Sequence, residues 1–202
     1  MRLFKLIPSA LFAVASAAHA IEEPAYTVTR SHDVFEIRRY EPYIVAEVVV
    51  PGPADEAGNQ GFRILAGYIF GNNKGSRTLD MTAPVTQTPA AATIPMTAPV
   101  TQAQGQGGYV VRFVMPRGST LENLPEPVDA RVELREASAK TVAVIRYSGF
   151  WSQANYEEHL AQLREALAKA GIATEGEPVL SRYDPPFTLP FLRRNEVWLT
   201  VR

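Results

Sequence analysis

The stretch from Phe35 to Gly52 aligns with the stretch from Val132 to Gly149 without a gap. Glu36/Glu133, Arg38/Arg135, Val45/Val142, Ala46/Ala143 and Gly52/Gly149 are identical, and Phe35/Val132, Ile37/Leu134 and Val48/Ile145 are apolar in both. The same register brings Asp55 opposite Ser152, each a good helix N-cap. An internal repeat limits a chain more than composition does, because each copy must fold as one supersecondary unit and cover its neighbour.

The second copy is the easier to read. Val132–Arg135 alternates apolar and charged residues, and Thr141–Tyr147 is β-branched, so both predict strands. Ser152 then caps a helix whose stripe is Tyr156, Leu160, Leu163 and Leu167, with Gly171 placed to stop it. Pro178–Arg182 and Asn195–Val201 predict two more strands. The first copy predicts strands at Phe35–Tyr40 and Ile44–Val50, a helix over Asp55–Phe70, and strands at Leu79–Thr86 and Tyr109–Met115. Gly58, Gly61 and Gly67 weaken that helix, and Tyr26–Thr29 adds an edge strand. Gln87–Gly108, rich in Ala, Thr, Gln, Gly and Pro, reads as a mobile loop. Within this region Met81-Thr-Ala-Pro-Val-Thr-Gln87 recurs as Met96-Thr-Ala-Pro-Val-Thr-Gln102, a local duplication. The expected fold is α+β, an antiparallel sheet from two pseudo-symmetric ββαββ units spanning about residues 26–116 and 128–202, with Gly118–Pro127 between them.

Residues 1–20 read as a secretory leader. Arg2 and Lys5 precede an apolar run from Leu6 to Ala18, and Ala18-His19-Ala20 is a small-x-small cleavage site. The run is shorter than the roughly 20 residues a spanning helix needs. The mature chain, residues 21–202, is then one domain in a bacterial periplasm or outside the cell, with no stable membrane insertion.

Composition removes several chemistries. The 202 residues contain no Cys, which excludes disulfides, thiolate metal sites and Cys nucleophiles. A net charge of −1 lacks the basic surplus of a nucleic-acid binder. His32 and His159, the two His of the mature chain, have no partner at metal-ligand spacing. No Gly-x-Ser-x-Gly elbow or phosphate loop is present, and the carboxylates mostly alternate on expected solvent faces. No catalytic or metal-binding residue is therefore assigned. Arg193-Arg194 is either a solvated approach to the last strand or an anchor for an acidic ligand. The Met and aromatic residues either pack the core or line a pocket.

Six motifs occur in order: Phe35-Glu-Ile-Arg-Arg-Tyr40, Gly67-Tyr-Ile-Phe-Gly-Asn-Asn-Lys74, Met81-Thr-Ala-Pro-Val85, Phe113-Val-Met-Pro116, Tyr183-Asp-Pro-Pro186 and Arg193-Arg-Asn-Glu-Val-Trp-Leu199. Together they resemble the SOUL family of haem-binding proteins, from about Tyr26 to Val201. The resemblance implies a distorted antiparallel β-barrel of two pseudo-symmetric halves with two helices packed outside. It also implies haem or a related porphyrin as ligand, hence a small-molecule tetrapyrrole carrier or buffer. A related effector-binding fold hosts small-molecule hydrolases, which is the alternative reading.

The resemblance carries two departures. The axial His proposed in a vertebrate member falls at Arg39 here, and Arg cannot ligate iron. Basic residues that some members carry on the first helix fall at Asn59 and Gly67, leaving Arg63 as the substitute. The implied site is a shallow apolar groove without a strong axial His. Its expected residues are Phe62, Arg63, Leu65, Ala66 and Ile69 on the first helix, with Met81 and Arg193.

Overall fold

The computed structural model describes residues 22–75 and 92–202. The expected leader, the expected strand at Leu79–Thr86 and the first Met-Thr-Ala-Pro-Val copy, with Met81, lie outside the described residues.

In chain order the elements are β1 (Tyr26–Ser31), β2 (Glu36–Tyr40), β3 (Tyr43–Val50), α1 (Ala54–Ile69), β4 (Val100–Gly105), β5 (Gly108–Val114), β6 (Glu133–Ala137), β7 (Lys140–Tyr147), α2 (Gln153–Lys169), β8 (Thr174–Arg182) and β9 (Asn195–Val201). A 3-10 turn, Pro190–Leu192, precedes β9. The strands form one curled antiparallel sheet, ordered β1-β2-β7-β9-β8-β4-β5-β3-β6. This is the expected α+β distorted barrel. The strands of each opening hairpin do not stay together: β2 pairs with β7, and β3 pairs with β6. From β2 to β6 the order reads the same from both ends when β2–β5 are exchanged for β6–β9. The middle of the sheet is the β4–β8 pair.

Both helices lie where strand alternation offers an apolar face. Ile44, Ala46, Val48 and Val50 of β3 join Val111 and Phe113 of β5 beneath Leu65, Tyr68 and Ile69 of α1. Ala143, Ile145 and Tyr147 of β7 join Val197 and Leu199 of β9 beneath Leu160, Leu163 and Leu167 of α2. The intervening residues point the other way, as the period of two requires. Val142, Val144 and Trp198 thus meet Tyr40, Ala98 and Tyr183 in a third cluster. The Ser152 hydroxyl accepts the Asn155 N–H at 3.2 Å and caps α2, and Gly171 takes φ 68° just past its end.

The sequence reading needs four corrections here. Val100–Gly105 is not loop but β4, hydrogen-bonded on both edges and closed onto β5 through a tight turn at Gln106-Gly107. Its buried Thr101 and Gln102 erase the apolar alternation by which a strand is recognised. Asp55 is not an N-cap: α1 begins at Ala54 after Pro53, without a side-chain cap. Leu134 is only half-buried, because β6 is the edge of the sheet. Carboxylates expected on solvent faces are in part buried. Glu47 pairs with Arg112 at 2.7 Å and Arg135 at 2.9 Å, and Glu196 lies wholly inside.

Two of the α1 glycines have a packing role. A Cβ on Gly58 would lie 2.5 Å from Gln102 Oε1, and one on Gly61 would lie 2.6 Å from Val111 Cγ2. The N-terminal half of α1 therefore approaches the sheet more closely than any other residue type would allow. At the other end, Asn73 clamps the helix terminus. Its Nδ2 donates to the carbonyls of Tyr68 at 2.9 Å and Ala92 at 2.7 Å, and its Oδ1 accepts the N–H of Gly75 and of Ala92.

Candidate functional site

The close approach of α1 to β4 and β5 sets one wall of a groove of about 430 Å³. Gly58, Asn59 and Phe62 form that wall, and Val100, Gln102 and Val111 form the floor. The opposite wall is the end of β8 with the Tyr183–Phe187 loop, and Trp151 closes one end. The lining is mostly apolar, and its volume is that of a small-molecule or cofactor site (about 300–1,000 Å³). A more polar depression of about 590 Å³ adjoins it, between the N-termini of α1 and α2. Gln102, Trp151, Leu180 and Arg182 line both.

Trp151 is held on three sides. Its Nε1 donates to Asn195 Oδ1 at 2.8 Å, and the guanidiniums of Arg182 and Arg193 sit over the ring at 4.9 Å and 4.6 Å. Arg193 also donates from Nε to the Thr188 carbonyl at 2.8 Å and from Nη2 to the Pro186 carbonyl at 2.6 Å, which shapes the loop wall. Arg182 is different. Among the described residues it has no carboxylate partner, and its buried Nε has no hydrogen-bond partner. Burial pushes its pKa down. An unsatisfied cation at the edge of an apolar groove is a ready contact for an anionic ligand group.

Beneath the loop wall lies a filled polar network. The Glu196 carboxylate accepts from Arg38 Nη1 at 3.0 Å, Arg194 Nε at 2.9 Å, the Tyr183 hydroxyl at 2.7 Å and Trp198 Nε1 at 2.8 Å. Burial is the largest influence on Arg38 and Arg194 and opposes their charges, but Glu196 together with Glu36 and Tyr40 at Arg38, and with Tyr183 and Glu23 at Arg194, outweighs it, and both pKa values are raised. The Tyr183 pKa is raised by burial and then by Glu196. With every donor committed, this carboxylate holds strands together and has no free lone pair to act as a base.

The expected site residues separate. Phe62 lines the groove, its ring edge-on to Phe113 at 5.3 Å. Leu65 and Ile69 are packed into the core under α1, with no surface left for a ligand, and Ala66 packs against the same cluster. Arg63 is exposed and outside the groove lining. Arg193 stands behind Trp151, also outside that lining. Arg39 is exposed on the opposite side of β2 from Arg38 and lines neither depression. His32 stacks on Phe35 at 4.2 Å and His159 on Tyr147 at 4.1 Å, both away from the groove. Among the described residues no cluster of His, Asp and Glu could hold a metal ion.

Sequence reasoning missed Arg182 and Leu180, and left Trp151 and Phe187 open between core and pocket. A signal was available for part of this wall: the Tyr183-Asp-Pro-Pro186 motif directly follows Arg182.

The family described as "SOUL heme-binding protein" matches residues 21–200, most of the 202-residue chain. The chain belongs to the SOUL family. Among its relatives, Heme-binding protein 1 of Xenopus laevis is 30% identical over 165 residues, covering 81% of this SOUL chain and 82% of the relative. Heme-binding protein 2 of Homo sapiens is 28% identical over 190 residues, covering 91% and 88%. Two solved structures share the fold. The EcmrR C-terminal domain superposes with a TM-score of 0.59 at 11% identity, covering 88% of the SOUL chain and 98% of that domain. A hydrolase from Listeria innocua superposes with a TM-score of 0.53 at 13% identity, covering 86% and 94%. At these identities the likeness concerns architecture alone.

Proposed function

We propose that this SOUL chain is an exported carrier or buffer that binds haem or a related porphyrin in the groove between α1 and the Tyr183–Phe187 loop. The observation that carries the reading is the pairing of an apolar groove with the unpartnered Arg182 at its edge. A tetrapyrrole has a large apolar ring face and two propionates, and the residues present fit both parts. Phe62, Val100 and Leu180 remove the ring from water, a gain of about 25 cal/mol per Å² before ordering costs. Arg182 donates to a propionate, which relieves its own lack of a partner. The adjoining depression also carries Asp55 and Glu177, so a propionate turned that way gains from Arg182 itself and not from a general positive field.

Haem, when bound, supplies a redox-active iron. The groove lining contains no His, so the chain's part is to shield the ring and orient the carboxylates without strong axial ligation. Trp151 is fixed by Asn195 and two guanidiniums, so it offers a preorganised end wall. The hydrolase alternative would have to use Asp184, the carboxylate in the groove lining, whose Oδ2 already accepts the Arg194 N–H at 2.6 Å.

Export is part of this proposal and rests on the sequence pattern of residues 1–20, a positive start, an apolar run and the small-x-small Ala18-His19-Ala20. Titration of the mature chain, residues 21–202, with haem should give a saturable Soret band at one equivalent, of a five-coordinate or weakly ligated type. A bis-histidine low-spin spectrum, or no saturable binding, overturns the reading.

A further inference from the structure

We propose that the loop from Pro185 to Leu192 is a docking surface for a lipid bilayer that contains anionic phospholipid. Phe187, Leu189, Phe191 and Leu192 are 85%, 55%, 70% and 64% exposed within six residues of chain. Phe150, 70% exposed, belongs to the adjoining turn, which the Gly149 N–H ties to the Pro190 carbonyl at 2.8 Å. Five large apolar side chains turned to solvent from two linked loops form a patch, not the scattered single residues a soluble surface carries.

Three observations favour a bilayer as the occupant. The first is the state of the loop backbone. Pro185, Pro186 and Pro190 have no N–H, and the carbonyls of Pro185, Pro186, Thr188, Leu189 and Pro190 each accept a hydrogen bond from within the loop or from the adjoining turn. A loop that stays in water gains little from this. A loop whose side chains reach below the headgroups gains more, because carbonyls already bonded within the loop lose no water partner when the surface is covered. The second is charge. Arg193, whose Nε and Nη2 donate to the Thr188 and Pro186 carbonyls, keeps its positive charge at the base of the loop with no carboxylate ion pair among the described residues, which favours an anionic headgroup electrostatically. The third rests on the tetrapyrrole reading: Phe187 belongs both to the patch and to the groove, so an apolar ligand dissolved in a bilayer can enter without crossing water. The contact is peripheral, since among the described residues no helix is long and apolar enough to span a membrane.

The test uses the mature chain without haem and vesicles of equimolar phosphatidylglycerol and phosphatidylcholine. The parent should cosediment with the vesicles, with a shift in Trp fluorescence. Phe191→Ser with Leu192→Ser lies outside the groove lining and should lower the partition coefficient by about tenfold or more. Phe70→Ser, equally exposed at the far end of α1, should leave it unchanged. Haem titration of the same double variant should match the parent, which separates this proposal from the ligand reading. Absence of parent binding, or equal binding by the double variant, overturns the proposal. So does a concentration-dependent dimer that the double variant abolishes without any vesicle binding, since the patch then belongs to a second copy.

Discussion

Arg38 Nη1 lies 3.0 Å from Glu196 Oε2, the two residues 158 positions apart in sequence and both side chains almost wholly buried. The contact crosses β7, which separates β2 from β9, so it exists only when the first hairpin has given its outer strand to the second half of the chain. Breaking such a pair leaves a buried charge without compensation. Glu196→Gln would remove the charge that Arg38 and Arg194 share, leaving each with only a more exposed carboxylate, Glu36 and Glu23, and should destabilise the fold by about 3 kcal/mol. Urea unfolding at neutral pH, with circular dichroism as readout, checks this.

The α1 glycines should respond to alanine in opposite directions. Gly67 has only Asn72 atoms 3.9 Å from its ideal Cβ, so Gly67→Ala should stabilise by up to about 1 kcal/mol through helix propensity. Gly61→Ala must push against Val111 at 2.6 Å, and overpacking should outweigh propensity, for a net loss of about 1–3 kcal/mol. Thermal midpoints of the two variants, measured side by side, test the sign.

Lys140 gives a pH signature. Burial, then Arg112, lowers its pKa from 10.5 to about 8. Below pH 8 the folded and unfolded states both carry the proton, and the full cost of burying the charge is present. Between pH 8 and 10.5 the unfolded state binds more protons than the folded state, so this group's contribution makes stability rise with pH. Lys140→Met should therefore stabilise at pH 7, by something on the order of 1–3 kcal/mol, and its advantage should fade towards pH 10.5. Urea midpoints of both proteins across pH 7–10.5 give the comparison.

Ligand binding should depend on Arg182 more than on the other candidate cations. Arg182→Gln should weaken haem binding by about tenfold, the value of a partly desolvated charge-assisted contact. Arg63→Ala, at an exposed position outside the groove, should change it little. A propionate-esterified porphyrin should be insensitive to both, whereas Phe62→Ala should weaken both ligands. Equal binding of free haem by Arg182→Gln and the parent would turn the propionates to solvent.

The two halves should also superpose as ββαββ units, with Glu36 on Glu133 and Gly52 on Gly149. Least-squares fitting of β2–β3–α1 and β6–β7–α2 measures this directly, and a fit that places Gly52 and Gly149 several residues apart would refute the duplication.

Both helices and most of the strands were legible in the sequence because their faces have a period. Leu160, Leu163 and Leu167 repeat as a helix must, and Ile44, Ala46, Val48 and Val50 alternate as a half-buried strand must. Phe62 was legible as well, from its place on α1 in a chain that resembles the family. β4 was not, because a strand in the middle of this sheet buries Thr101 and Gln102 beside Ser181 of β8, and polar residues satisfied by a neighbour look like loop when that neighbour is unknown. Arg182 was illegible for the same reason: nothing local distinguishes an unpaired arginine in a groove from one in water. Local periodicity thus determined which segments are helix and strand. Which charges are buried, which glycines touch the sheet and where the groove opens were decided by the exchange of hairpin strands and the β4–β8 seam, because each depends on residues brought together from distant parts of the chain.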